Sequence, residues 1–228
     1  MAVQCRSGKH HLGKIHVDRS GSAARRLTFF SDAVFAIAIT LLIIEIHVPH
    51  PEVSTDKEWL ITLANLIPNF AGFILSFIVV GAMWVAHHRV FGMLRRLDPT
   101  LVWPNLVLLM AVAFMPFSTA LMSSHSAERV PELFYAFTLI VAGLLQIRLI
   151  RRALREPFLK PDVSAADIAM IRRRSLALPI MASIAFVLGF FWPGFSNLPL
   201  VLMPGVVVLF ARWRRGKRPE PDAGAVGG

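Results

Sequence analysis

The chain has 228 residues, 55% of them hydrophobic and 17% charged, with a formal net charge of +10. That is too apolar and too weakly charged for an ordinary soluble domain, and the apolar residues gather into blocks of about 20, the length that crosses roughly 30 Å of hydrocarbon as a helix. The single cysteine, Cys5, excludes an intramolecular disulfide.

Apolar blocks at 27–48, 61–86, 100–122, 131–150, 175–192 and 196–211 predict six transmembrane helices, so the expected fold is an all-α integral membrane protein. Pro193, Pro199 and Pro204 crowd the junction of the last two, which leaves a bent or partly crossing hairpin open there. Of the 24 Lys and Arg residues, all but Lys57 and Arg129 lie in the tails or at the connections from span two to three and from four to five. By the positive-inside rule both termini are expected in the cytoplasm, and the protein in the cell membrane. Basic charge gathered by topology in this way does not argue for a nucleic-acid partner.

Residues 1–24 and 214–228 lack periodicity and read as disordered cytoplasmic tails around one transmembrane unit at 25–213. Span one runs on through LLIIEIHVPH without a cleavage-site pattern, so a retained helix is expected rather than a signal peptide. No internal repeat is evident, and symmetry about a central pathway would have to come from assembling several copies.

Span one carries two ionisable residues, Asp32 and Glu45, which inside a membrane are costly and point to function. Asp32 lies about 9 Å along the helix from Arg26, in the cytoplasmic third of the bilayer. At 100° per residue Ile37, Leu41 and Ile44 fall within about 60° of arc, with Thr40 at the edge and Asp32 on the opposite face. From spacing alone, such a stripe packs on a neighbouring helix or meets lipid.

Span two presents Trp84, His87 and His88 near its cytoplasmic end, and span three reaches Asn105 within about two turns of the same side. A carboxylate at that depth needs donors, and Ser31, an indole, an imidazole and an amide are suitable ones. A buried polar cluster tying spans one, two and three is therefore expected, serving either helix orientation or gating. Ligand spacing for a metal or catalytic centre is missing. His87 and His88 point about 100° apart, no HExxH, nucleophile elbow or Cys cluster accompanies them, and His10, His11 and His16 fall in the tail. At the end of span four Arg148, Arg151 and Arg155 have the spacing of a voltage sensor but the position of side chains that snorkel to lipid phosphates.

The segment RLTFFSDAVFAIAITLLIIEI resembles the first helix of the transmembrane protein 175 family, whose signature R-x-x-x-F-S-D is carried by Arg26, Phe30, Ser31 and Asp32. The likeness continues in WVAHHRVF, around Trp84 and His87, and in WPNLVLLMAVAFMPFSTAL, with Asn105, Pro116 and Phe117. It covers roughly residues 25–125 closely and rests beyond them on the hydropathy pattern. The resemblance implies a potassium-permeable channel with six spans per subunit, a homotetramer around the first helix. Its partners are the lipid bilayer, further copies of the chain and K+ ions, with no cofactor and no metal site.

The resemblance further implies that Ile37, Leu41 and Ile44 form a hydrophobic constriction and that Thr40 supplies a hydroxyl for selectivity. With one tyrosine, Tyr135, there is no TVGYG loop, so closure would come from dewetting at an Ile37 ring. Potassium would be modestly preferred over sodium because it sheds water at lower cost. Glu45 near the outer end either attracts cations or is an interfacial carboxylate. Ser31, Asp32, Trp84, His87 and Asn105 face away from the stripe and would brace the helix, leaving spans four to six as packing and lipid-facing support. The alternatives are a proton-coupled secondary transporter using Asp32 and His87, whose usual inverted repeats are not evident, and a membrane enzyme, for which no nucleophile or metal set can be assembled.

Overall fold

A computed structural model describes residues 19–48, 55–95, 99–155, 158–193 and 196–202 of the chain. Helix α1, Arg19–Ile44, contains no proline, and a continuous helix leaves no backbone group unsatisfied in lipid. It begins inside the segment expected to be disordered tail, while the apolar stretch able to cross a membrane starts at Arg25. The rest of the N-terminal tail and residues 214–228 lie outside the described residues.

A short helix, α2 (Asp56–Asn65), polar in its first turn and apolar beyond it, follows under a capping box. The Thr55 hydroxyl accepts from Glu58 N at 3.4 Å, and the Glu58 carboxylate accepts from Thr55 N at 3.3 Å. Leu66 then leads into α3, Ile67–Gly92, whose first turn holds Pro68, where the missing N–H costs nothing. The second span thus lies about six residues later than expected, because Asn65 and Pro68 close one helix and open another. Trp84, His87 and His88 accordingly fall in the last third of α3, with His88 about one turn before its end at Gly92.

The third span, Pro99–Ser124, is two helices, α4 (Val102–Ala113) and α5 (Met115–Ser124), after a single 3-10 turn. The break is at Phe114, ahead of buried Pro116, whose missing N–H interrupts the ladder. Phe114 N–H donates to the Met110 carbonyl at 3.1 Å, so the ladder runs intact up to the break.

Helix α6, Arg129–Ala153, crosses the middle of the subunit, packed on α8, α4 and α5. It is the most buried of the five spans, so of the packing and lipid-facing support expected of the fourth span the packing dominates. Its small residues explain this. Ala142 is fully buried, and at Gly143 a Cβ would stand 3.0 Å from the Pro179 ring of α8. Without a hydrophobic drive between helices in lipid, such close approach supplies the attraction. Interhelical hydrogen bonds add to it. Tyr135 OH lies 2.9 Å from Ser76 Oγ, which accepts from Thr119 at 2.8 Å, and buried Gln146 donates to the Met83 carbonyl at 2.7 Å.

The fifth span comprises α7, Ala165–Arg174, and α8, Ala177–Phe191. Among the described residues five stretches can cross a membrane. Residues 198–202 are helical at the start of the expected sixth span, and the rest of it, 203–211, lies outside the described residues.

The close contact at Gly143 gives a direct test of α6 as the packing centre. Gly143→Leu is expected to cost about 1–3 kcal/mol by overpacking. Gly92→Leu, at an exposed position with nothing within 4 Å of a Cβ, should leave stability unchanged. Thermal denaturation of the two variants in detergent compares them directly, and equal midpoints would contradict the assignment.

Candidate functional site

Helix α1 divides sharply by face. Ser31, Phe35, Ala38 and Leu42, at helical spacing, are buried against α3, α4 and α5. On the other side Ile37 is 58% exposed, Leu41 39% and Ile44 67%, and Thr40 is exposed beside them. A contiguous apolar face of this kind on one helix needs a cover, either lipid or protein. The Thr40 hydroxyl donates to the Ile37 carbonyl at 2.9 Å, which uses its proton and leaves the oxygen as a free acceptor. Glu45 is half-buried just past the helix end, where its carbonyl accepts from His47 Nδ1 at 3.0 Å.

The polar residues form two arrangements rather than one. In the first, Asn105 is fully buried and its Nδ2 donates to Ser31 Oγ at 2.9 Å. Its Oδ1 therefore accepts from His87 Nε2–H at 2.8 Å, and the Ser31 hydroxyl donates onward to the Leu27 carbonyl at 2.8 Å. The His87 ring is 1% exposed, stacked on Phe91 at 4.2 Å and tilted against Phe35 at 5.4 Å. Its Nδ1 has no hydrogen-bond partner among the described residues.

The second arrangement is partly exposed. Trp84 Nε1–H donates to Asp32 Oδ1 at 2.9 Å, and His88 Nδ1 lies 3.3 Å from both carboxylate oxygens. Trp84 and His88 are four residues apart and so share one face of α3. The donors to Asp32 are thus an indole and the second histidine; Ser31, His87 and Asn105 bond among themselves. Helical spacing pairs Trp84 with His88 and turns His87 away, a signal present in the sequence. Arg26 and Phe30 of the signature are exposed, and Arg26 makes no ion pair among the described residues.

Three side chains carry structure that the sequence reading passed over. Glu132, 2% exposed in the first turn of α6, accepts from Ser196 Oγ at 2.5 Å. A carboxylate beside Pro131 reads as a helix-end acid, and only the fold places it inside. Tyr135 and Gln146 are likewise internal partners of α3 and not lipid-facing residues.

Residues 26–116, which include α1 from Arg26 onward and both polar arrangements, match the family model described as endosomal/lysosomal potassium channel TMEM175. The chain is 34% identical over 173 residues to a potassium channel of Chamaesiphon minutus, covering 74% of this chain and 85% of that one. To a potassium channel of Streptomyces collinus it is 33% identical over 210 residues, covering 88% of this chain and 97% of the relative. The protein belongs to the TMEM175 family. The crystal structure of a lysosomal potassium-selective channel TMEM175 homolog from Chamaesiphon minutus superimposes with a TM-score of 0.70 at 31% identity. The match covers 86% of this chain and all of that chain. TMEM175 membership makes this a multi-pass membrane protein of an ion-channel family, which points away from an enzyme.

The two polar arrangements differ in what they cost to break. Asn105→Ala removes two hydrogen bonds and strands the His87 N–H in a buried site, for an expected loss of about 2–4 kcal/mol. Trp84→Phe leaves Asp32 its contact with His88 at a partly exposed position and should cost about 1 kcal/mol or less. Unfolding of both variants in detergent micelles measures the difference, and a Trp84 effect as large as that at Asn105 would refute the division.

Proposed function

We propose that the protein is a homotetrameric cation channel favouring potassium modestly over sodium, with six spans per subunit, both termini cytoplasmic and α1 lining a central pore. The observation that carries this reading is the exposed face of α1. It is the least buried of the five spans, and Ile37, Leu41 and Ile44 stand out from it while the opposite face is anchored by Asn105. Around a fourfold axis these side chains form stacked apolar rings. Narrow rings of this kind exclude water when closed, and conduction requires the helices to part enough for a hydrated or partly hydrated ion.

Discrimination then follows from hydration, since the larger ion sheds water at lower cost. Thr40, with its oxygen unoccupied as an acceptor, offers partial replacement for that water. Glu45 at the outer end raises the local cation concentration. Both polar arrangements set the rotation of α1 and touch no ion. For a proton-coupled transporter working through Asp32 and His87, no observation speaks: the two side chains are bonded to different partners.

Purified protein in liposomes with a potassium gradient tests the pore. Ile37→Asn is expected to raise potassium flux or lower its preference over sodium, because a polar ring holds water where an aliphatic one expels it. Unchanged flux and preference, or potassium movement strictly coupled to protons, would overturn the assignment. Asp32→Ala addresses the brace separately. Lost assembly or expression is expected, and an intact tetramer altered only in ion preference would place Asp32 at the ion path instead.

A further inference from the structure

Helix α6 is largely buried, yet one stripe stays exposed from Phe137 onward. Phe137, Leu144, Arg148 and Arg151 are all exposed and fall within about 60° of arc. The stripe is apolar at Phe137 and Leu144 and becomes cationic within about 6 Å of helix axis, between Leu144 and Arg148. The apolar stretch Arg129–Ala153 exceeds the roughly 20 residues that span hydrocarbon, so the two arginines lie at the headgroup boundary.

These arginines have no internal acid to answer them. Among the described residues the one ion pair is His88–Asp32. The negative end of the α6 dipole is already answered, since the Arg172 guanidinium of α7 reaches the Leu154 carbonyl at 3.4 Å. That contact also brings the last turn of α7, with exposed Arg173 and Arg174, beside the same helix end. Arg148 and Arg151 at the foot of the apolar stripe are thus unneutralised, and Arg173 and Arg174 add positive charge in the neighbouring last turn of α7.

We propose that this end of α6 binds the phosphate headgroup of an anionic phospholipid, whose acyl chain lies along Leu144 and Phe137. Charge complementarity selects an anion, and guanidinium forks suit phosphate oxygens in a bidentate manner. The apolar continuation of the stripe selects a lipid over a soluble anion. The site uses none of the residues assigned to the pore, so it stands or falls apart from the permeation path.

Native mass spectrometry of the full-length protein in detergent tests this, titrated with phosphatidylglycerol and with phosphatidylcholine of the same chains. Near a membrane surface each arginine is worth roughly a fivefold change in affinity for anionic lipid, so Arg148→Gln with Arg151→Gln should weaken phosphatidylglycerol retention about 25-fold. The double lysine variant should keep most of the binding, and Arg129→Gln, which removes one arginine at the other end of α6, should keep all of it. Glycerol 3-phosphate should compete poorly because it lacks the chain. The proposal is overturned if the double glutamine variant retains phosphatidylglycerol as the wild type does, if Arg129→Gln loses as much, or if glycerol 3-phosphate competes as well as the intact lipid.

Discussion

Asn105 decides which way α1 faces. Its amide spans Ser31 on α1 and His87 on α3 from within α4, so three helices meet at one buried side chain whose donor and acceptor are both engaged. In hydrocarbon an unpaired polar group costs several kcal/mol, and turning α1 by one residue position, about 100°, would strip Ser31 from Asn105. Asp32 adds a second point of attachment about 100° around the same helix, to Trp84 and His88 on α3. Two contacts at different angles fix rotation where one would leave a hinge. The face carrying Ile37, Leu41 and Ile44 is exposed as a consequence.

The remainder of the subunit serves to hold that geometry against a solvent that gives no help. Lipid tails are as apolar as leucine, so α6 cannot be held in place by burial alone. Its grip comes from close approach at Gly143 and Ala142 and from hydroxyl and amide ties at Tyr135 and Gln146. Both ties end on α3, the helix that also carries Trp84, His87 and His88. A shift of α6 would therefore reach α1 through α3.

Much of this was readable from residue order, and the limits are physical. Span lengths follow from hydrocarbon thickness, and α1, α6 and most of α3 lie where hydropathy puts them. Hydropathy averages over a window, however, and so missed the breaks at Leu66 and Phe114, which depend on single prolines at 68 and 116. Face assignment on α1 followed from 100° per residue. The pairing of Asp32 did not, because it depends on how α3 is rotated about its own axis, and Trp84 and His88 share the relevant face while His87 is turned to Asn105. Burial of α6 was hidden for another reason. A centrally packed span and a lipid-facing one are equally apolar, and only Gly143, Tyr135 and Gln146 distinguish them.

The same logic bears on how α1 can move. Ser31 and Asp32 clamp it at its midpoint, whereas Ile37 through Ile44 are joined to the rest of the subunit chiefly by the apolar contacts of Ala38 and Leu42. Apolar contacts in lipid can slide at small cost because lipid replaces what is lost, while a buried polar contact cannot. Motion is therefore least opposed in the C-terminal half of α1, the half that holds the exposed aliphatic stripe. A helix pinned just before its aliphatic stripe and free beyond it widens most at Ile44 and least at Ile37. In the proposed assembly this makes Ile37, nearest the clamp, the narrowest ring throughout and the last to admit water.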